Sequence, residues 1–126
     1  MNVLIDTSVW VDHFRNRNQT LLGLLALDAV LMHPMVLGEL SCGTPPAPRL
    51  RTLNDLGLLQ ECNQASMQEV MAFVERERLY GMGCGLIDLT LLASTLITPG
   101  ARFWTLDRRL AALADRFAVE FRSTSV

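Results

Sequence analysis

The chain has 126 residues, half of them hydrophobic, with a formal net charge of −2. That length suits one compact domain with a proper core and leaves no room for two. No apolar run approaches the roughly 20 residues of a membrane span, and no basic region precedes the first apolar run, so a cytoplasmic protein without a membrane anchor is expected.

Val3-Leu4-Ile5 is an unbroken apolar run, the pattern of a parallel strand buried on both faces. Asp6 stops it, at the strand's carboxyl end, where open α/β sheets place their ligand crevice. Residues 7–14 read as a helix capped by Thr7 or Ser8. A polar turn at 15–18 leads to a leucine-rich helix ending near Asp28. Residues 29–33 form a second strand, and Pro34 opens a helix that carries Val36, Leu37, Glu39 and Leu40. The breaker cluster Gly43 to Pro48 is a loop between helices. Residues 49–56 are a further helix and 58–60 a short third strand.

Ser66 and Glu69 have capping-box spacing ahead of a long helix, with Met67, Val70, Met71, Val74 and Leu79 as its apolar stripe. Gly81-Met82-Gly83-Cys84-Gly85 leads into a hydrophobic helix containing Asp88, ended by Pro99-Gly100. Residues 102–106 are a fourth strand, Asp107 ends it, 108–116 are the last helix and 118–121 a closing strand. Strands separated by helices imply a central parallel sheet of four to five strands covered on both faces, in one domain spanning 1–126.

All eleven basic residues are arginine, which removes every mechanism that needs a catalytic lysine. Cys42, Cys62 and Cys84 contain no Cys-x-x-Cys pair. They read as reduced, mostly buried thiols, and His13 and His33 do not complete a zinc site with them. The slightly acidic balance excludes a protein that holds nucleic acid by bulk charge, though not a nucleic-acid enzyme whose positive potential is local.

Four acids stand out: Asp6 and Asp107 at strand ends, Glu39 and Asp88 inside apolar helical runs. Each alone has a plain alternative as a cap or a solvated side chain. Brought together, they repel one another and need a cation, and with no lysine that cation is an arginine or a metal. Hard oxygen donors favour Mg²⁺ or Mn²⁺ over zinc, and such an ion suits hydrolysis of a phosphodiester. Arg15, Arg17, Arg108 and Arg109 flank the predicted crevice as candidate phosphate contacts, with ordinary solvated surface as the alternative.

Asp6-Thr7-Ser8-Val9-Trp10, Glu39, Gly85-Leu86-Ile87-Asp88 with Leu92-Ala93-Ser94, and Thr105-Leu106-Asp107 resemble the motif series of PIN-domain proteins, and most of all the VapC-type ribonuclease toxins of bacterial toxin–antitoxin pairs. Order and spacing match over nearly the whole chain. The resemblance implies a three-layer α/β/α sandwich and Mg²⁺- or Mn²⁺-dependent endoribonuclease activity. Asp6 and Asp88 would then be the principal metal ligands, with Glu39 and Asp107 completing the acidic cluster and Thr7, Ser8 and Thr105 supporting it. It further implies structured RNA substrates such as transfer RNA or ribosomal RNA loops, a homodimer, and silencing by a VapB antitoxin.

A receiver domain and a haloacid-dehalogenase-type phosphatase also cluster acids at strand ends. Both need a lysine, and the second wants an aspartate where Ser8 stands. The non-enzyme alternative is a PIN-fold module that only binds RNA or protein.

Overall fold

The computed structural model describes residues 1–123; the last three residues of the expected domain span lie outside the described residues. The elements alternate as β1 (Asn2–Ile5), α1 (Thr7–Asn16), α2 (Gln19–Ala26), β2 (Val30–Met32), α3 (Pro34–Cys42), α4 (Arg49–Gly57), β3 (Gln60–Glu61), α5 (Met67–Glu77), α6 (Leu86–Leu96), β4 (Ala101–Trp104) and α7 (Arg108–Arg116). The four strands form one parallel sheet in the order β3-β2-β1-β4. Consecutive strand residues point to opposite faces. Val3, Leu4 and Ile5 are nevertheless all fully buried, as are Val30, Leu31 and Met32, so helices cover both faces in an α/β/α sandwich.

The chain steps outward from β1 to β2 and β3, then returns to place β4 on the other side of β1. This reversal opens a crevice at the carboxyl ends of β1 and β4. The register pairs Ile5 with Trp104, so the next residue on each strand, Asp6 and Thr105, enter that crevice side by side.

Several expected boundaries shift for local reasons. The third strand is Gln60–Glu61 rather than 58–60, because Leu58 serves as the C-cap of α4 in a helical conformation and stays exposed. The closing strand at 118–121 contracts to a single bridge between Phe103 and Glu120, flanked by the bonds Phe103 N–H to Val119 and Phe121 N–H to Phe103. In α5 the Ser66–Glu69 capping box forms as expected, but the buried stripe is Val70, Phe73 and Leu79. Met67 and Met71 are more than half exposed. Phe73 meets Phe117 with ring centroids 5.2 Å apart, which turns that face of the helix inward and the two methionines outward. Cys62 is buried, with its thiol pushed up to about 11 mainly by burial; Cys84 is half-buried and Cys42 exposed.

His33 anchors the far end of β2 to two helices. Its Nδ1 accepts the Met35 N–H at 3.0 Å, capping α3, so its proton is on Nε2, 3.2 Å from Ser94 Oγ of α6. Ser94 Oγ in turn accepts the Ala65 N–H. Burial lowers the His33 pKa, with Glu61 acting weakly in the opposite sense. A histidine with a depressed folded pKa contributes stability that is present above its unfolded pKa, about 6.5, and lost as pH falls through the folded value. Urea unfolding between pH 8 and 5 is therefore expected to show a loss of stability on the acid side that His33→Ala flattens. The substitution itself is expected to cost about 1–3 kcal/mol at pH 8, from the lost cap and the orphaned serine.

Candidate active site

The residues at the crevice are arranged around Asp6. Its backbone occupies the N-cap position of α1, yet its carboxylate makes no capping bond to that helix, so neither Thr7 nor Ser8 is the cap and the acid does not act as one. Oδ2 instead accepts two hydroxyls, from Thr105 at 2.7 Å and Ser8 at 2.8 Å. Thr105 and Ser8 are fixed in their turn. Thr105 Oγ1 accepts the Asp107 N–H, and Ser8 Oγ accepts the Leu106 N–H. Asp6 is only 6% exposed. No bond among the described residues reaches its Oδ1, and that atom keeps some contact with solvent.

The other three acids follow the same rule of one oxygen held and one left over. Glu39, on α3, accepts the Thr7 hydroxyl on Oε1 at 2.6 Å. Asp88, in the first turn of α6, accepts the Gly85 N–H on Oδ2. Asp107 caps α7, its Oδ1 taking the N–H groups of Arg109 and Leu110. Two of the four thus perform the capping role that a plain reading would assign, and each still has an oxygen with no protein partner among the described residues.

Asp88 feels the charges of two of the others. Burial raises the Asp88 pKa most, the Gly85 N–H opposes this, and the carboxylates of Asp6 and Asp107 raise it further. No arginine forms an ion pair with any of the four acids among the described residues; the pairs present join Arg76 and Arg116 to Glu77, and Arg122 to Asp115 and Glu120.

Among the described residues, no group of three or more His, Cys, Asp or Glu side chains stands close enough to grip one ion. The cause is visible in the bonds above. Like charges repel, and each acid has an oxygen drawn back by an O–H or N–H donor. The donor set still fits a hard divalent cation. It offers one free carboxylate oxygen per acid and no imidazole; the nearby Cys84 thiol is held protonated by burial and by Asp88 and Asp107, so oxygen donors dominate.

The four candidate arginines separate. Arg15 lines a groove with Glu39, Val11, Phe14 and Pro45. Arg17 ends α1 in a left-handed conformation near His13. Arg108 and Arg109 are both exposed in the first turn of α7, but Arg109 reaches back to Gly83 in the loop before α6. That loop was not given a role by the sequence; its three glycines in five residues were the available signal.

Thr105→Val tests the support around Asp6, since it keeps the shape and removes one hydroxyl that both donates and accepts. Urea unfolding is expected to show roughly 1–3 kcal/mol of lost stability from the unpaired Asp107 N–H.

A parallel sheet whose strand order reverses at β1, with acids following β1 and β4 and on α3 and α6, defines a class: the chain belongs to the PIN-domain family, whose model matches residues 3–116. Among curated proteins it is similar to Ribonuclease VapC32 from two strains of Mycobacterium tuberculosis, CDC 1551 / Oshkosh and ATCC 25618 / H37Rv. It is 40% identical to each over 110 residues, covering 87% of this chain and 88% of each relative.

Proposed function

We propose that the chain is a metal-dependent endoribonuclease toxin of the VapC type that hydrolyses RNA phosphodiester bonds. The observation that carries this reading is the buried Asp6, locked by two hydroxyls on one oxygen with the other left without a partner, near acids that form no ion pair with an arginine among the described residues. The similarity to a protein named as a ribonuclease supports the substrate class.

Asp6 and Asp88 would hold Mg²⁺ or Mn²⁺, with Glu39 and Asp107 completing the set directly or through water. Such an ion, when bound, makes water more acidic and offsets the charge that builds on the phosphate. The chain's own residues do the rest. Thr105 and Ser8 fix the Asp6 carboxylate in one orientation, and Thr7 does the same for Glu39. Glu39 or Asp107, where not on the ion, orients the attacking water and accepts its proton. The 3′ oxygen leaves, giving 5′-phosphate and 3′-hydroxyl ends.

The alternative chemistry, attack by the ribose 2′-hydroxyl, is less well served, because neither a lysine nor an uncommitted histidine is present to protonate the leaving oxygen. There is no lysine, His33 is spent on α3 and Ser94, and His13 Nδ1 accepts the Asn18 N–H. Transfer RNA or ribosomal RNA loops as substrates, a homodimer, a cytoplasmic location and inhibition by a VapB-type antitoxin complete the proposal. No helix among the described residues is long and apolar enough to cross a membrane.

The test is to incubate the purified chain, free of any antitoxin, with total RNA in Mn²⁺ or in EDTA, and to map the ends. Cleavage in Mn²⁺ alone that leaves 5′-phosphates supports the reading. Cyclic phosphate ends contradict it, and absence of cleavage favours a module that only binds.

A further inference from the structure

Arg109 lies two residues after Asp107, and its guanidinium is packed against Gly83. A methyl group on that glycine would sit 2.2 Å from Nη1, 3.1 Å from Cζ and 3.2 Å from Cδ of Arg109. Any other residue at 83 would push the guanidinium away. Gly83 also has φ +88°, a conformation that other residues rarely adopt, so the loop and the arginine's seat depend on the same glycine. The guanidinium is close to Cys84, on whose thiol it opposes the effect of Asp88 and Asp107. It forms no ion pair or side-chain hydrogen bond with any described residue. A cation without an ion-pair partner among the described residues therefore stands beside the acids.

We propose that Arg109, seated on Gly83, is a phosphate-binding residue of the RNA site, its guanidinium gripping the non-bridging oxygens of a backbone phosphate that flanks the scissile bond. The proposal rests on the nuclease reading above and deepens it by naming a substrate contact. Five N–H donors in a planar fork match two phosphate oxygens, and here none of the donors is used by the protein. The need is plain in a chain with net charge −2 and an acidic crevice, which repels RNA wherever a cation does not intervene. Neither Arg108 nor Arg17 has a comparable seat.

The experiment measures binding apart from cleavage. In an Asp6→Asn background with EDTA, affinity for a fluorescent pool of random-sequence stem–loop RNAs is followed against salt. Adding Arg109→Ala is expected to weaken binding about 3–10-fold and to lower the salt slope by about one. Arg109→Lys is expected to keep the slope without recovering the affinity, because an ammonium lacks the fork. Gly83→Ala is expected to shift affinity in the same direction, and the double variant G83A/R109A to bind no worse than R109A alone, since both remove one contact.

Arg76→Ala removes an equal charge beside the far half of α6 and is expected to change binding by less than about twofold. Binding by R109A equal to its parent, or losses that multiply in the double variant, would overturn the proposal. If G83A fails to fold by circular dichroism, R109A and R109K decide alone. Should Arg109 prove necessary for binding while the chain with Asp6 intact cleaves nothing in Mn²⁺, the nuclease reading falls and the phosphate contact stands. If the parent binds no RNA, the contact falls with it.

Discussion

Asp6→Asn is expected to lower metal-dependent RNA cleavage by about 10³-fold or more while leaving the circular dichroism spectrum unchanged, a loss of several kcal/mol of transition-state stabilisation. The size follows from the geometry. Asparagine has almost the same shape, and its carbonyl oxygen can take over the bonds from Thr105 and Ser8 that hold Oδ2. The atom left facing the crevice is then an amide nitrogen, a donor where a cation needs an acceptor. The fold keeps its hydroxyl network and the site loses its innermost charge. Cleavage by the variant within about tenfold of the parent would remove Asp6 from the ligand set, whatever became of the other acids.

Asp88→Asn is expected to act in opposite directions on stability and on activity. Burial, with Asp6 and Asp107 nearby, raises the folded pKa of Asp88 against the opposing Gly85 N–H. The sign follows from linkage: a carboxyl with a raised folded pKa contributes stability that is present below its unfolded pKa and lost as pH rises through the folded value. At neutral pH in EDTA the charged Asp88 is therefore a burden. D88N should unfold at higher temperature than the parent there, and the gap should close as pH falls toward 4. Asparagine still offers an oxygen to the Gly85 N–H, so the helix start survives.

In saturating Mn²⁺ the order should reverse. A ligand present at a hundredfold excess over its Kd stabilises the parent by about 2.7 kcal/mol, and on the proposed assignment the variant lacks a principal metal ligand. Cleavage should fall with it. Thermal melts at pH 7.5 and pH 4.5, with and without Mn²⁺, check all four cases. A D88N protein less stable than the parent in EDTA at pH 7.5 would mean that Asp88 is a structural acid.

The fold was legible where residues repeat a pattern that burial enforces. Val3-Leu4-Ile5 and Phe103-Trp104 read as strand segments because a polar residue at any of these positions would be felt in the core. The short Gln60–Glu61 strand carries no such pattern: both residues are exposed, and only pairing with Leu31 and Met32 makes it a strand. In α5 the methionines misled because they fit helical spacing as well as Phe73 does, and only the contact with Phe117 selects the buried face.

At the site, the identity of the acids and hydroxyls could be read from motif order, because a strand end fixes where Asp6 and Thr105 must emerge. What could not be read is how the hydroxyls are shared. Thr105 and Ser8 both converge on Asp6 Oδ2, while Thr7 turns to Glu39, a division set by register across ninety-odd residues of intervening chain. The approach of Arg109 to Gly83 is likewise a tertiary contact, invisible until the loop before α6 meets the start of α7.

The most direct test is a crystal of the chain soaked in Mn²⁺ and measured for anomalous scattering. A strong peak between Asp6 and Asp88, within ligand reach of the free oxygen of each, is the predicted result, with Glu39 and Asp107 drawn toward it. A strong peak elsewhere with nothing between Asp6 and Asp88 would contradict the account.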